Sequence, residues 1–301
     1  MKIQDYNGSI HTSRSASKQA LSITLSDKRK QGYAEYGDGE GKPVLYFPGS
    51  PSSRLLHPPI DPTTALGVRL FVLERPGYGL SDFQNGRQLL DWPKDVSSFA
   101  DALGIDRFPV IGVSGGGPYA AACAYKIPQR VTRAAIVSGV GPTDLPGSLE
   151  EMPRIRQLGA LVARHAPWLL GAVLWLVANP QRNPERFFER MISGNSPVDQ
   201  EIISQPEIRA MLMENYVEAT RLGIRGFAQD SIILSNPWGV PVEDIAIPVF
   251  LWHGEADANV SISAALALSR MIPNCQARFL PGKGHWLFYD CWEEILRAGL
   301  E

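Results

Sequence analysis

The sequence predicts an α/β architecture: a mostly parallel central sheet flanked by helices, with an all-helical segment inserted between the sixth and seventh core strands. Three observations carry that prediction. Short β-rich runs alternate with helical pattern over residues 21–141. Several of these runs are apolar without a break, as expected of strands buried on both faces. From about Pro142 to Val240 the strand signal gives way to helical periodicity punctuated by Pro and Gly, and it returns only near the C-terminus.

The elements follow in order. Strands are expected at 21–25, 32–36, 43–47, 69–73, 108–113 and 133–137. Between the later ones, residues 89–103 place Leu90, Val96, Phe99, Ala100 and Leu103 along one helical face, and the Ala-rich stretch 118–126 is a second helix. This alternation argues for parallel strands joined by helices. In the insert, Ile208, Met211, Leu212, Met213, Val217 and Leu222 suit a helix that starts near Pro206. Strands return at 248–252 and 277–280, and a final helix runs over 291–300. The chain thereby divides into a flexible tail (1–20), a first core part (21–141), a helical insert (142–240) and a second core part (241–301). Such an insert would cover the C-terminal edge of the sheet, where open α/β sheets bind ligands.

Composition narrows the function classes. The 301 residues are 44% hydrophobic and 20% charged, which excludes a disordered chain, a coiled coil and a collagen-like fibre. Lys plus Arg number 29 against 31 Asp plus Glu, so nothing favours nucleic acid or an anionic membrane. Three cysteines (Cys123, Cys275 and Cys291), with no Cys-x-x-Cys pair, point to a reducing, cytoplasmic setting. Residues 1–19 are polar and lack the apolar stretch of a signal peptide. The longest apolar run, residues 166–178, is too short to span a bilayer, so stable membrane insertion is not expected. It reads as a buried or lid helix.

Chemistry concentrates in the loops after strands. Gly112-Val113-Ser114-Gly115-Gly116 stands between a strand and a helix. Ser114 then occupies a sharp strand-to-helix turn, exposed at the positive end of a helix dipole. A serine hydroxyl needs a base, and the base needs an orienting carboxylate. Of five histidines, His285 lies in a glycine loop directly after the last strand, where a residue that accepts and returns a proton has room to move. His11 is expected in the polar tail, His57 in a loop, His165 on the insert surface, and His253 in a structural role at a strand end. Acid candidates cluster in Gly254-Glu255-Ala256-Asp257. Asp257, further into the loop, is preferred over Glu255. The developing oxyanion needs two donors. One is the Gly115 amide. The second is the Ser50 amide in Pro48-Gly49-Ser50-Pro51, because proline has no N–H.

Together these residues resemble the α/β-hydrolase fold superfamily over about 200 core residues. Residues 44–54 look like its oxyanion loop, with Pro48 in place of the usual histidine. Arg75-Pro76-Gly77-Tyr78-Gly79-Leu80-Ser81 looks like a structural turn of the family, for which no catalytic role is expected. The order Ser114, Asp257, His285 is the family's order. The resemblance implies a serine hydrolase with a helical cap, needing no metal or organic cofactor. Its expected substrate is a small to medium, partly apolar ester, cleaved through an acyl-enzyme by a carboxylesterase. The alternatives are C–C bond hydrolysis of a vinylogous diketone and a slow-turnover small-molecule receptor that keeps the triad. Trp238, Trp175, Phe227 and Met211 are candidate pocket residues. Glu150 and Glu151, a conceivable amine anchor, are read as a solvated pair. Arg54 and Arg75 are expected in structural or surface pairing.

Overall fold

A computed structural model describes residues 18–143 and 154–300. The elements run β1 (Lys18–Thr24), β2 (Lys30–Gly37), β3 (Lys42–Phe47), α1 (Ile60–Ala65), β4 (Val68–Leu73), α2 (Trp92–Ala102), β5 (Phe108–Val113), α3 (Gly117–Lys126) and β6 (Val131–Val137). Six helices follow: α4 (Arg154–His165), α5 (Pro167–Val177), α6 (Pro184–Ile192), α7 (Pro197–Ile203), α8 (Pro206–Ala219) and α9 (Arg225–Ser235). The chain ends with β7 (Val249–Gly254), α10 (Ile262–Met271), β8 (Cys275–Leu280) and α11 (Phe288–Leu300).

The eight strands form one sheet in the order β1-β2-β4-β3-β5-β6-β7-β8. β2 pairs antiparallel with β1 and β4, and every other pairing is parallel. Each parallel pair needs a crossover, so helices cover both faces. Alternation along β3 shows the result. Leu45 and Phe47 join an apolar cluster with Trp92, Phe99 and Tyr119 on one face. Val44 and Tyr46 join Trp252, Trp292 and Leu296 on the other. Every residue of β5 is buried, which explains its unbroken apolar sequence. Trp292 on α11 meets Tyr46 edge to face and donates its indole N–H to Thr63 Oγ1 at 2.7 Å, tying α11 to α1.

Three local expectations change. β1 begins at Lys18, inside the stretch 1–20 expected as a tail: an antiparallel edge strand needs only one apolar side and so has a weak periodic signal. α11 begins at Phe288, since the His285–Leu287 backbone already turns into it. The apolar run 166–178 forms α5 but is mostly not buried: Leu170 is covered, whereas Trp168, Trp175, Leu176 and Val177 are exposed. Hydrophobicity reports a preference for burial, not whether a neighbour exists to provide it. No helix among the described residues is long and apolar enough to cross a membrane. His11, Glu150 and Glu151 lie outside the described residues.

Candidate active site

Ser114 follows β5 directly and has φ +53°, a left-handed conformation that side chains disfavour. The neighbouring glycines permit it by close approach. A Cβ on Gly112 would collide with the Gly116 carbonyl, and one on Gly116 with the Phe47 carbonyl. The turn therefore lies flat against the end of β3, and its last residues run into α3. Ser114 is half-buried, and its carbonyl accepts the Val140 N–H at 3.1 Å.

Asp257 and His285 come from the loops after β7 and β8, adjacent parallel strands. His285 Nδ1 lies 2.8 Å from Asp257 Oδ2. The other oxygen, Oδ1, accepts the backbone N–H groups of Asn259 at 2.7 Å and Val260 at 3.0 Å. The Asp257 side chain is fully covered. Burial alone would raise its carboxyl pKa, but the His285 imidazole and these donors outweigh burial and hold it below the ordinary value. Glu255 is exposed, so the two acids of this turn separate by burial. His253 is buried in β7, with Nε2 3.2 Å from the Val260 carbonyl and 3.7 Å from Asp257. Burial depresses its pKa, which keeps it a neutral packing partner. His57 packs on Tyr36 at 4.4 Å and His165 is exposed.

Ser50 and Gly115 face one another. A Cβ on Gly115 would sit 3.2 Å from the Ser50 nitrogen, and Gly49 lies against the Ser114 side chain. Arg75, fully buried after β4, donates Nη1 to the Pro48 carbonyl at 2.6 Å and Nη2 to the Gly49 carbonyl at 2.7 Å. In a trans peptide the C=O and the following N–H point in opposite directions. With the Gly49 carbonyl turned to Arg75, the Ser50 N–H is turned away from it. Arg75 is in turn held by Asp230 of α9 through Nε at 2.8 Å. Asp230 also accepts from Tyr78 at 3.1 Å, Tyr119 at 2.6 Å and Arg87. Its carboxyl pKa is low: burial pushes upward, and the two guanidinium groups win. Ser50 Oγ pairs with Tyr78 Oη at 2.9 Å.

The insert reaches the strand ends at several points. Asn215 Oδ1 accepts the Ser53 N–H at 2.7 Å, and Arg54 bridges Glu74 at 2.8 Å and Glu218 at 2.6 Å. Leu234 lies beside Gly115. The four candidate pocket residues belong to different packing environments. Trp238 is buried in the cluster of Phe47 and Tyr119. Phe227 and Met211 pack against the opposite cluster. Trp175 is half exposed, with the Arg182 guanidinium 4.8 Å above its ring. Helical periodicity shows that a face is apolar but not what meets it. Asp230 carries no signal of this network in the sequence: it is the single acid of α9, and only folding buries it.

A profile of the alpha/beta hydrolase fold matches residues 42–290. The chain is 25% identical to the 2-hydroxy-6-oxononadienedioate/2-hydroxy-6-oxononatrienedioate hydrolase of Burkholderia vietnamiensis, over 97% of each chain. It is also 25% identical to the 2-hydroxymuconate semialdehyde hydrolase of Pseudomonas putida, over 87% of each. A thermophilic esterase from Thermogutta terrifontis shares the fold with TM-score 0.66 and 21% identity, covering 93% of this chain and 96% of that one. The profile match takes in β3 to β8 with every loop described above, and the chain belongs to the alpha/beta hydrolase fold family.

Proposed function

We propose that this protein is a serine hydrolase that cleaves a bond to a carbonyl carbon. Ser114 is the nucleophile, His285 the base and then the acid, and Asp257 the carboxylate that keeps Nδ1 protonated. The observation that carries the reading is the covered Asp257–His285 pair at 2.8 Å, on the same sheet edge as a serine held at φ +53°. The Gly115 and Ser50 amides are the proposed oxyanion donors, each worth on the order of 3 kcal/mol in the transition state. The insert, which contacts the loops after β3, β4 and β8, serves as the cap.

For the bond cleaved, the near full-length relatives support a C–C bond in a vinylogous diketone. Water adds across that bond. The carbonyl carbon leaves as a carboxylic acid, and the departing carbon, stabilised by conjugation, takes a proton. Carboxylester cleavage is the second reading, and one observation favours it. Three buried arginines on the loops and network around the site (Arg54, Arg75 and Arg87) are each engaged by Glu74, Glu218 or Asp230, which suits an uncharged ester better than a dianion.

The test compares loss of a dienolate chromophore with release of p-nitrophenol from esters of acetate to decanoate, for the parent and Ser114→Ala. Dienolate turnover about 100-fold faster than any ester, abolished in the variant, is the expected result. The reverse ranking establishes the esterase. Activity that survives Ser114→Ala, or a parent whose Ser114 resists a fluorophosphonate, sinks the serine mechanism.

A further inference from the structure

We infer that Asp199, in the insert, is a positioning residue for the catalytic base, so that the His285 loop is aligned only while the insert is docked. The inference rests on the serine-hydrolase reading above.

Asp199 lies in the first turn of α7 and is fully buried. Both of its oxygens are spent on the base loop. Oδ2 accepts the His285 backbone N–H at 2.9 Å, and Oδ1 accepts the Trp286 N–H at 2.8 Å. Ser196, at the N-terminus of the same helix, donates its hydroxyl to Oδ2 at 2.7 Å. A helix-terminal acid that only capped its own helix would face that helix's N–H groups instead. The approach is tight enough to dictate a neighbour: a Cβ on Gly284 would overlap the Asp199 carboxylate. That close approach, and not a left-handed backbone, accounts for the glycine before His285. The same stretch of the insert also reaches the acid loop. The Asn195 and Asn259 side chains hydrogen-bond, and the Asn259 N–H donates to Asp257 Oδ1 at 2.7 Å. Residues 195–199 therefore grip both loops whose side chains make the 2.8 Å pair.

The geometry makes Asp199 a clamp on main chain. It holds the His285 N–H and the next N–H, which sets where the imidazole starts. Asp257 then sets the ring's orientation through Nδ1. Without the carboxylate, two buried N–H groups lose their acceptor and the loop is free to shift, and a displacement near 1 Å costs a reacting group about 100-fold.

The experiment uses the full chain carrying Asp199→Ala, Asp199→Asn and Ser196→Ala. Three readouts are taken: the rate at which a fluorophosphonate labels Ser114, the separate kcat and KM on whichever substrate the parent turns over, and the thermal melt. Labelling and kcat are expected to fall about 10- to 100-fold in Asp199→Ala, with KM within about threefold. Asp199→Asn keeps one acceptor oxygen and should recover part of the loss. Ser196→Ala, which removes only the hydroxyl steadying the carboxylate, should fall least, and it stands in for the others if they fail to fold. Variants that label Ser114 at the parental rate overturn the inference, even if they melt earlier, because that result makes Asp199 a structural contact alone. A parent that does not label at all refutes the underlying mechanism instead.

Discussion

Ser50 separates a backbone role from a side-chain role in one residue. Its N–H is the proposed oxyanion donor, whereas its hydroxyl is occupied by Tyr78 at 2.9 Å. Ser50→Ala keeps the donor, and steady-state kinetics should show kcat/KM within about fivefold of the parent. Asp257→Asn should behave differently. It leaves the shape intact but offers an N–H toward Nδ1, and kcat should drop by about 10⁴-fold with the melt little changed. At this scale much was legible in the sequence. Ser114 announces itself by flanking glycines between a strand and a helix. His285 announces itself by a glycine loop after the last strand. Asp257 and Glu255 differ little as letters, and burial distinguishes them. Asp199 carries no local signal, because its partners are main-chain groups 86 and 87 residues away.

Among the elements, α9 bears on the proposed oxyanion loop through Asp230. Two arginines, two tyrosines and one carboxylate meet out of water, and the guanidinium of Arg75 continues the network to two loop carbonyls. Removing one partner strands the other charge, so Asp230→Ala should cost about 3–5 kcal/mol in a denaturant titration. It should also lower kcat, since Arg75 no longer sits where it turns the Gly49 peptide. The double variant Asp230→Leu with Arg75→Met should be more stable than Asp230→Ala, because it leaves one buried guanidinium, that of Arg87, opposite the lost carboxylate instead of two, while activity stays low. Sequence periodicity locates α8, but neither the bounds of α9 nor this pairing. Arg75 and Asp230 are 155 positions apart, and each alone resembles an ordinary surface charge.

The whole molecule responds to pH through such groups. Asp230 and Asp257 both have carboxyl pKa values below the ordinary 3.8. Burial opposes this in each case, and Arg75 and Arg87, or His285, overcome it. The sign follows from linkage. A depressed folded pKa contributes stability that is fully present above the unfolded pKa and lost as pH falls through the folded one. The melting temperature should therefore fall steeply below about pH 4. In Asp230→Asn the melt starts lower but the acid decline is shallower. An equally steep decline in that variant would show that other carboxylates control acid unfolding.

The order of residues alone specifies the layered α/β fold, the strand sequence and the break between β6 and β7. It also put forward Ser114, Asp257 and His285, in that order, as the proposed serine, acid and base. These follow from local rules: period-two or unbroken apolar runs, helical spacing, and glycines where backbone must approach backbone. Only folding decides which charges lose water, which apolar helix face stays uncovered on α5, and which acids of the insert hold the loops of the proposed site. The physical reason is range. Propensity and periodicity act over one or two turns of chain, whereas burial and buried hydrogen bonding depend on groups far apart in sequence, 86 positions for Asp199 and His285 and 155 for Arg75 and Asp230.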